Sequence, residues 1–351
     1  MRRRPLEHAA AMAALLLTFV AVTAGIGTVA AAASAPRPTP RVLPSAGLAA
    51  ATAALARTAP PHEVRAGSNS GPRPGTSIHI PPPLPLAFSG IGTAPTADLP
   101  AFGGGVAAGI LVDLDSHQVL WERAPTSIRP TASLAKVVTV MVAMDHAQSL
   151  DQVVTVPPGG EDDNPQDSVM GLLVGDRISV RDLVNGIWLA SGDDAAETLA
   201  RVFVPRDEFI AEMNQKATWL GLTATHFSNP SGLDDPGEYS SPYDLGVISG
   251  WLWTHYPAAM ALAAQSFVPL GERGRDLSLR TLNKMVSQFP GKNGPYPGAN
   301  GLKTGDTPNA GGCVIATAQR GGHRLIAVVM GSDWFFTDAG ALLDYGFAVD
   351  G

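Results

Sequence analysis

Aliphatic and β-branched residues run from Val106 to Leu114 and again from Gln118 to Arg123, on either side of the polar reversal Asp115-Ser116-His117. That pattern predicts a β-hairpin. Cys313 to Gln319 and Arg324 to Met330 flank Gly321-Gly322 and predict a second hairpin, followed by a helix near Thr337 to Phe347. The region between reads as mostly helical, with helices expected over Ser133 to His146, Val180 to Leu189, Asp194 to Phe203, Arg206 to Leu220 and Pro242 to Thr254. Strand pairs at both ends of a helical middle predict an α+β fold: an α/β sandwich whose antiparallel sheet is built from the two ends of the domain and covered by helices. No internal repeat is visible.

Ahead of residue 101 the pattern changes. Arg2, Arg3 and Arg4 precede an apolar run from Ala9 to Ala33 that closes on small residues, the layout of a secretory signal. The run of about 25 residues is also long enough to span a bilayer, so residues 1–33 read as a cleaved signal peptide or a retained N-terminal membrane segment. Residues 34–100 hold 14 of the 30 prolines and little apolar periodicity. Such a segment buries too little to offset its ordering entropy and reads as a disordered Pro/Ala-rich linker. The domain is expected over 101–351, and the protein is expected outside the cytoplasm, in the cell envelope.

Composition removes several classes. The net charge of −7, with no basic cluster beyond the leader, excludes nucleic acid as an expected partner. The one cysteine, Cys313, permits no internal disulfide and sits in an apolar stretch, where a lone thiol is a small core residue. No cofactor or metal is expected: His62-Glu63 lacks the second histidine of H-E-x-x-H. A Ser-His-Asp hydrolase is disfavoured because no G-x-S-x-G occurs.

The informative chemistry begins at Ser133-Leu134-Ala135-Lys136. Positions three apart share a helix face, so Ser133 and Lys136 come within hydrogen-bond reach. Pro130 marks the helix start, which puts Ser133 in the first turn, where free amides and the dipole favour a developing anion. The helix beyond is apolar nearly all round, so Lys136 has little water nearby. Burial lowers a lysine's pKa and fits it to take a proton from serine. Only 5 of the 24 cationic residues are lysines, and two of them, Lys136 and Lys303, fall in motifs. Taken alone, S-x-x-K is a frequent tetrapeptide in which the lysine snorkels to water. It is accompanied by Ser191-Gly192-Asp193, between two helical segments, and Lys303-Thr304-Gly305, ahead of the last strand pair. Together they approach the catalytic set S-x-x-K, S-D-N and K-T-G of penicillin-binding proteins and serine β-lactamases.

The chain resembles the low-molecular-mass D-alanyl-D-alanine carboxypeptidases, penicillin-binding serine peptidases, from about Ala107 to Phe347. The likeness includes Arg129-Pro130-Thr131-Ala132, Asp193-Asp194-Ala195-Ala196, Met213-Asn214, Leu220-Gly221-Leu222, Thr225-His226-Phe227-Ser228-Asn229-Pro230 and Ala310-Gly311-Gly312-Cys313. The resemblance implies a β-lactamase-like fold and a substrate, the peptidoglycan stem peptide ending in D-Ala-D-Ala, with β-lactams as covalent inhibitors. It implies Ser133 as nucleophile, Lys136 as base and Ser191 as proton relay to the leaving D-alanine. Lys303 and Thr304 would hold the terminal carboxylate, and the amides of Ser133 and Asp306 the oxyanion. Gly305 would let the strand approach the substrate without a Cβ in the way.

One departure bears on activity. The family usually has asparagine where this chain has Asp193, and an ionised carboxylate there favours the ammonium form of Lys136. It is expected to slow acylation or move the pH optimum upward, and it keeps open a non-catalytic peptidoglycan-binding reading. Asp194 is expected to cap the following helix. A β-lactamase needs a deacylating glutamate, and Glu197, Glu208 and Glu212 fall on helices without a convincing counterpart. Many relatives continue into a β-rich domain and a C-terminal anchor, so any membrane attachment is expected from the N-terminal segment.

Overall fold

In a computed structural model of the protein, the described residues are 86–99, 102–103, 105–161, 168–270 and 277–349. The expected signal or membrane segment and most of the expected linker lie outside them. Strands β1 (Ala108–Asp113) and β2 (Gln118–Arg123) form the first hairpin. A 3₁₀ turn, Ala132–Ala135, leads into α1 (Lys136–His146). Then come β3 (Val153–Thr155), β4 (Arg177–Ser179), α2 (Val180–Asn185), α3 (Asp193–Val202), α4 (Arg206–Trp219), α5 (Pro242–His255) and α6 (Pro257–Ala263). β5 (Phe267–Leu270), β6 (Leu277–Arg280), β7 (Ala299–Gly305), β8 (Cys313–Arg320), β9 (His323–Met330) and α7 (Phe335–Val349) complete the order.

The main sheet runs β2-β1-β9-β8-β7 and is antiparallel throughout, with β1 lying beside β9 in register Ala108↔Met330 to Asp113↔Leu325. Both ends of the domain therefore build one sheet, as expected. Its strands alternate between two cores. Ile110, Val112, Ile315, Ile326 and Val328 join the cluster with α1 and α5, while Leu111, Val314, Leu325, Ala327 and Val329 join the cluster under α7. A sheet covered on both faces needs apolar residues at nearly every position, which is why these strands read as unbroken hydrophobic runs. The β8/β9 turn uses Gly321 and Gly322 at φ 57° and 97°, the left-handed pair that a two-residue hairpin requires.

The structure corrects several boundaries. Residues 86–99 are not tether: Phe88 is buried, Ser89 bridges Gln118, the Trp121 indole N–H donates to Ala97 O at 2.9 Å, and Gly92 N–H donates to Glu122 at 2.7 Å. Proline-rich composition concealed apolar residues that find their partners only in three dimensions. The segment Val180–Leu189 is not one regular helix, because α2 passes into a π-turn over Gly186–Ala190. Gly186 lets Met170 pack against this turn: a Cβ there would stand 2.3 Å from Met170 Sδ and displace that side chain. Cys313 is buried as expected, and burial pushes its thiol up to about 11.

Candidate active site

Three segments far apart in the chain meet at the β7 edge of the sheet. The first is the 3₁₀ turn. Ala132, at φ +47°, is a left-handed alanine, and holding it there costs about 1–3 kcal/mol. The turn presents Ser133, half-buried, at the mouth of a cleft of about 200 Å³ lined also by Ser168, Ser191, Thr304, Gly305 and Asp306. Lys136 begins α1 and is fully buried; its Nζ lies 2.8 Å from Ser133 Oγ and donates to Ser231 O at 2.7 Å.

The second segment leaves the π-turn. Ser191 sits at φ 59°, ψ 26°, a second strained non-glycine residue at the cleft. Its hydroxyl accepts from Lys303 Nζ at 2.8 Å. Asp193 opens α3, and its Oδ1 pairs with Lys136 Nζ at 2.6 Å, with side-chain exposures of 4% and 0%. The other carboxylate oxygen accepts from Ser168 N–H at 3.1 Å, and Asp193 N–H donates to Ser168 O. Asp194 does not act chiefly as the expected cap. Its carboxylate accepts from the N–H groups of Met170, Gly171 and Leu172 as well as that of Ala195, and so anchors the segment that follows Ser168, a residue lining the cleft. Burial raises its pKa despite these donors.

The third segment is β7. Lys303 is buried, bonded to Ser191 Oγ and to Thr304 O at 2.7 Å. Burial, then the charge of Lys136, hold its pKa well below the usual lysine value, with Asp193 pulling the other way. Gly305 packs directly on the Ser133 turn: a Cβ would come 2.9 Å from Ser133 N and 2.8 Å from Ala132 Cβ. Asp306 is exposed at the cleft.

All eight residues singled out in the sequence therefore converge. Others were not foreseen as parts of the site. Asn229 Oδ1 accepts from the N–H groups of Ser231, Gly232 and Leu233, and so folds the loop whose Ser231 carbonyl receives Lys136. The Asn229-Pro230 pair was visible in the sequence, but its use depends on an Asx turn closing against Ala132. Gly232 must be glycine there, since its Cβ would fall 1.9 Å from Ala132 O. Glu238 is buried beneath the same turn, accepting from Thr131 Oγ1 at 2.8 Å and Ser228 N–H at 2.8 Å, and burial raises its pKa to about 7. Leu282, Phe335 and Phe336 form an apolar wall of the cleft. Glu197 is engaged elsewhere, paired with Arg201 and Arg206.

Comparison with known proteins agrees with this geometry. Residues 104–333 match the family described as D-alanyl-D-alanine carboxypeptidase. The chain is 34% identical over 264 residues to D-alanyl-D-alanine carboxypeptidase DacB2 of Mycobacterium tuberculosis, covering 73% of this chain and 87% of that one. It spans a smaller share of some curated relatives, 56% of DacF from Bacillus subtilis for example, and 94% of the D-alanyl-D-alanine carboxypeptidase of Streptomyces sp. K15. A crystal structure of the D-alanyl-D-alanine carboxypeptidase of M. tuberculosis superposes with a TM-score of 0.64 at 31% identity, over 73% of this chain and 96% of that one. Penicillin-binding protein D2 of Listeria monocytogenes, solved with cefotaxime bound, gives 0.60 at 29% identity, over 69% and 97%. The chain belongs to the D-alanyl-D-alanine carboxypeptidase family.

Proposed function

We propose that the protein is a serine-type D-Ala-D-Ala carboxypeptidase that removes the terminal D-alanine of peptidoglycan stem peptides, working on the extracytoplasmic side to which its N-terminal composition directs it. The observation that carries the reading is the pair of lysine–serine contacts in one cleft, Lys136 with Ser133 and Lys303 with Ser191, each at 2.8 Å. A neutral Lys136 takes the Ser133 proton while Oγ bonds to the carbonyl carbon of the penultimate residue. The oxyanion forms between the amides of Ser133 and Asp306, donors of a kind worth about 3 kcal/mol each. As the C–N bond breaks, the leaving amine gains a proton through Ser191, replenished from Lys136. Water then attacks the Ser133 ester, giving its proton to Lys136 and on to the departing Oγ. Lys303 and Thr304 receive the substrate carboxylate.

Asp193 modifies this scheme. A carboxylate 2.6 Å from Lys136 favours the ammonium, so the base-competent fraction grows as pH rises. The test is intact mass of the full chain after exposure to benzylpenicillin, beside Ser133→Ala. An adduct on the wild type that the variant lacks supports acyl-enzyme chemistry. No adduct on folded wild type would instead favour a peptidoglycan-binding role without turnover.

A further inference from the structure

The cleft at Ser133 has two unlike walls. One is polar, made by Ser168, Ser191, Thr304 and Asp306; the other is Leu282, Phe335 and Phe336. Leu282 is 53% exposed and the adjoining Trp334 58%. Phe335 and Phe336 are half-buried, so the wall is a continuous apolar face set opposite the polar one at Ser133, the composition of a ligand site.

The wall is held in place before any ligand arrives. Leu282 N–H donates to Leu189 O at 2.9 Å, tying it to the π-turn that carries Ser191. Phe335 lies over Gly312, where a Cβ would meet its Cδ1 at 2.3 Å. Its ring centroid lies 4.4 Å from that of Phe336, and Lys284 Nζ stands 5.7 Å from the Phe336 centroid. Ser332, just ahead of α7, is bonded through its N–H to Gly312 O and through its hydroxyl to Asp338 at 2.5 Å, which ties the start of the aromatic run to the β8 end of the sheet and to α7 itself. Sites of this composition take their affinity from the apolar face and their orientation from a few polar groups.

We infer that Leu282, Phe335 and Phe336 form a specificity subsite beside Ser133 that takes an apolar side chain of the acyl donor. The inference rests on the acyl-enzyme reading above and adds to it a preference among acyl donors. It predicts that the chain discriminates in favour of donors carrying an aromatic or aliphatic group over those carrying none.

The experiment compares second-order acylation of the full chain by benzylpenicillin and by 6-aminopenicillanic acid, which has the same reactive nucleus without the phenylacetyl group. Leu282→Ala and Phe336→Ala are measured beside the wild type; Leu282 is largely solvent-exposed, so its variant tests the subsite with little demand on folding. The readout is the ratio of the two rates, which a general loosening of the fold leaves unchanged. The wild-type ratio is expected to exceed unity by about tenfold, and each substitution to reduce it about three- to tenfold, the scale of burying part of a phenyl ring. A ratio identical in all three proteins overturns the subsite while leaving the acyl-enzyme reading intact. Failure of both compounds to acylate the wild type overturns the two together.

Discussion

Lys136 Nζ lies between Ser133 Oγ at 2.8 Å and Asp193 Oδ1 at 2.6 Å, shielded from solvent. The lysine thus faces a hydroxyl that needs a free base and a carboxylate that favours a filled one. Lys303, bonded to Ser191, has its pKa depressed by burial and by the Lys136 charge. One carboxylate between two buried lysines neutralises only one of them, and geometry assigns it to Lys136.

Replacing Asp193 with asparagine keeps the shape and removes the charge. Acylation by benzylpenicillin at neutral pH is expected to accelerate about tenfold, with the rising limb of the pH–rate profile displaced by about one unit toward acid. Rate profiles measured from pH 5 to 10 decide it; superimposable curves for the two proteins would refute the role of the carboxylate.

Lys303 gives a dependence of opposite sign in binding. Its depressed pKa means that the free enzyme loses this cation at a pH where ordinary lysines keep theirs, and an anionic substrate terminus binds the protonated form better. KM for a D-Ala-D-Ala peptide is therefore expected to rise with pH through that titration. In Lys303→Gln, KM should be higher and flat with pH. A wild-type KM that is itself flat up to pH 10 would argue against this.

Gly305→Ala places a methyl 2.9 Å from Ser133 N. The turn has to shift, and displacement of a nucleophile by about 1 Å costs about 100-fold in rate. The expected outcome is that loss in acylation with only a small change in Tm; retained activity would show that the turn accommodates the methyl group.

Glu238 makes stability depend on pH. Its folded pKa, about 7, lies above the ordinary 4.5 because of burial, so the native state holds the proton more tightly than the unfolded chain. The stabilisation is fully present below about pH 4.5 and is lost as pH rises through 7. Across that window the wild type is expected to lose about 3 kcal/mol relative to Glu238→Gln, read as a Tm difference that grows with pH. Parallel Tm curves would contradict the assignment.

Much of this architecture was legible beforehand, and the failures share a cause. The two hairpins were readable because aliphatic runs flank polar or glycine reversals, and Ser133, Lys136, Ser191 and Lys303 because reactive residue types recur at short fixed spacings. The pattern of β7 did not predict a strand, since Gly301 and Gly305 interrupt its apolar run, although Gly305 is what lets it pack on the Ser133 turn. The packing of Phe88 and the anchoring by Asp194 depend on partners about 155 and 22–24 residues away, which no local pattern encodes. Phe335 and Phe336 looked like the approach to a helix, and only the fold brings them to the cleft.

The pairing of β1 with β9 sets a limit on when the protein can begin to act. These neighbours in the main sheet join Ala108 to Met330, and closing so long a loop makes folding slow and strongly non-local. β7, with Lys303, is connected to β1 only through β8 and β9. A chain still emerging from a ribosome or a translocation channel can form its first hairpin and its helices, yet it lacks the strands that complete the sheet. Catalytic competence therefore arrives only with the last third of the polypeptide, so a nascent or truncated product is inert toward its substrate.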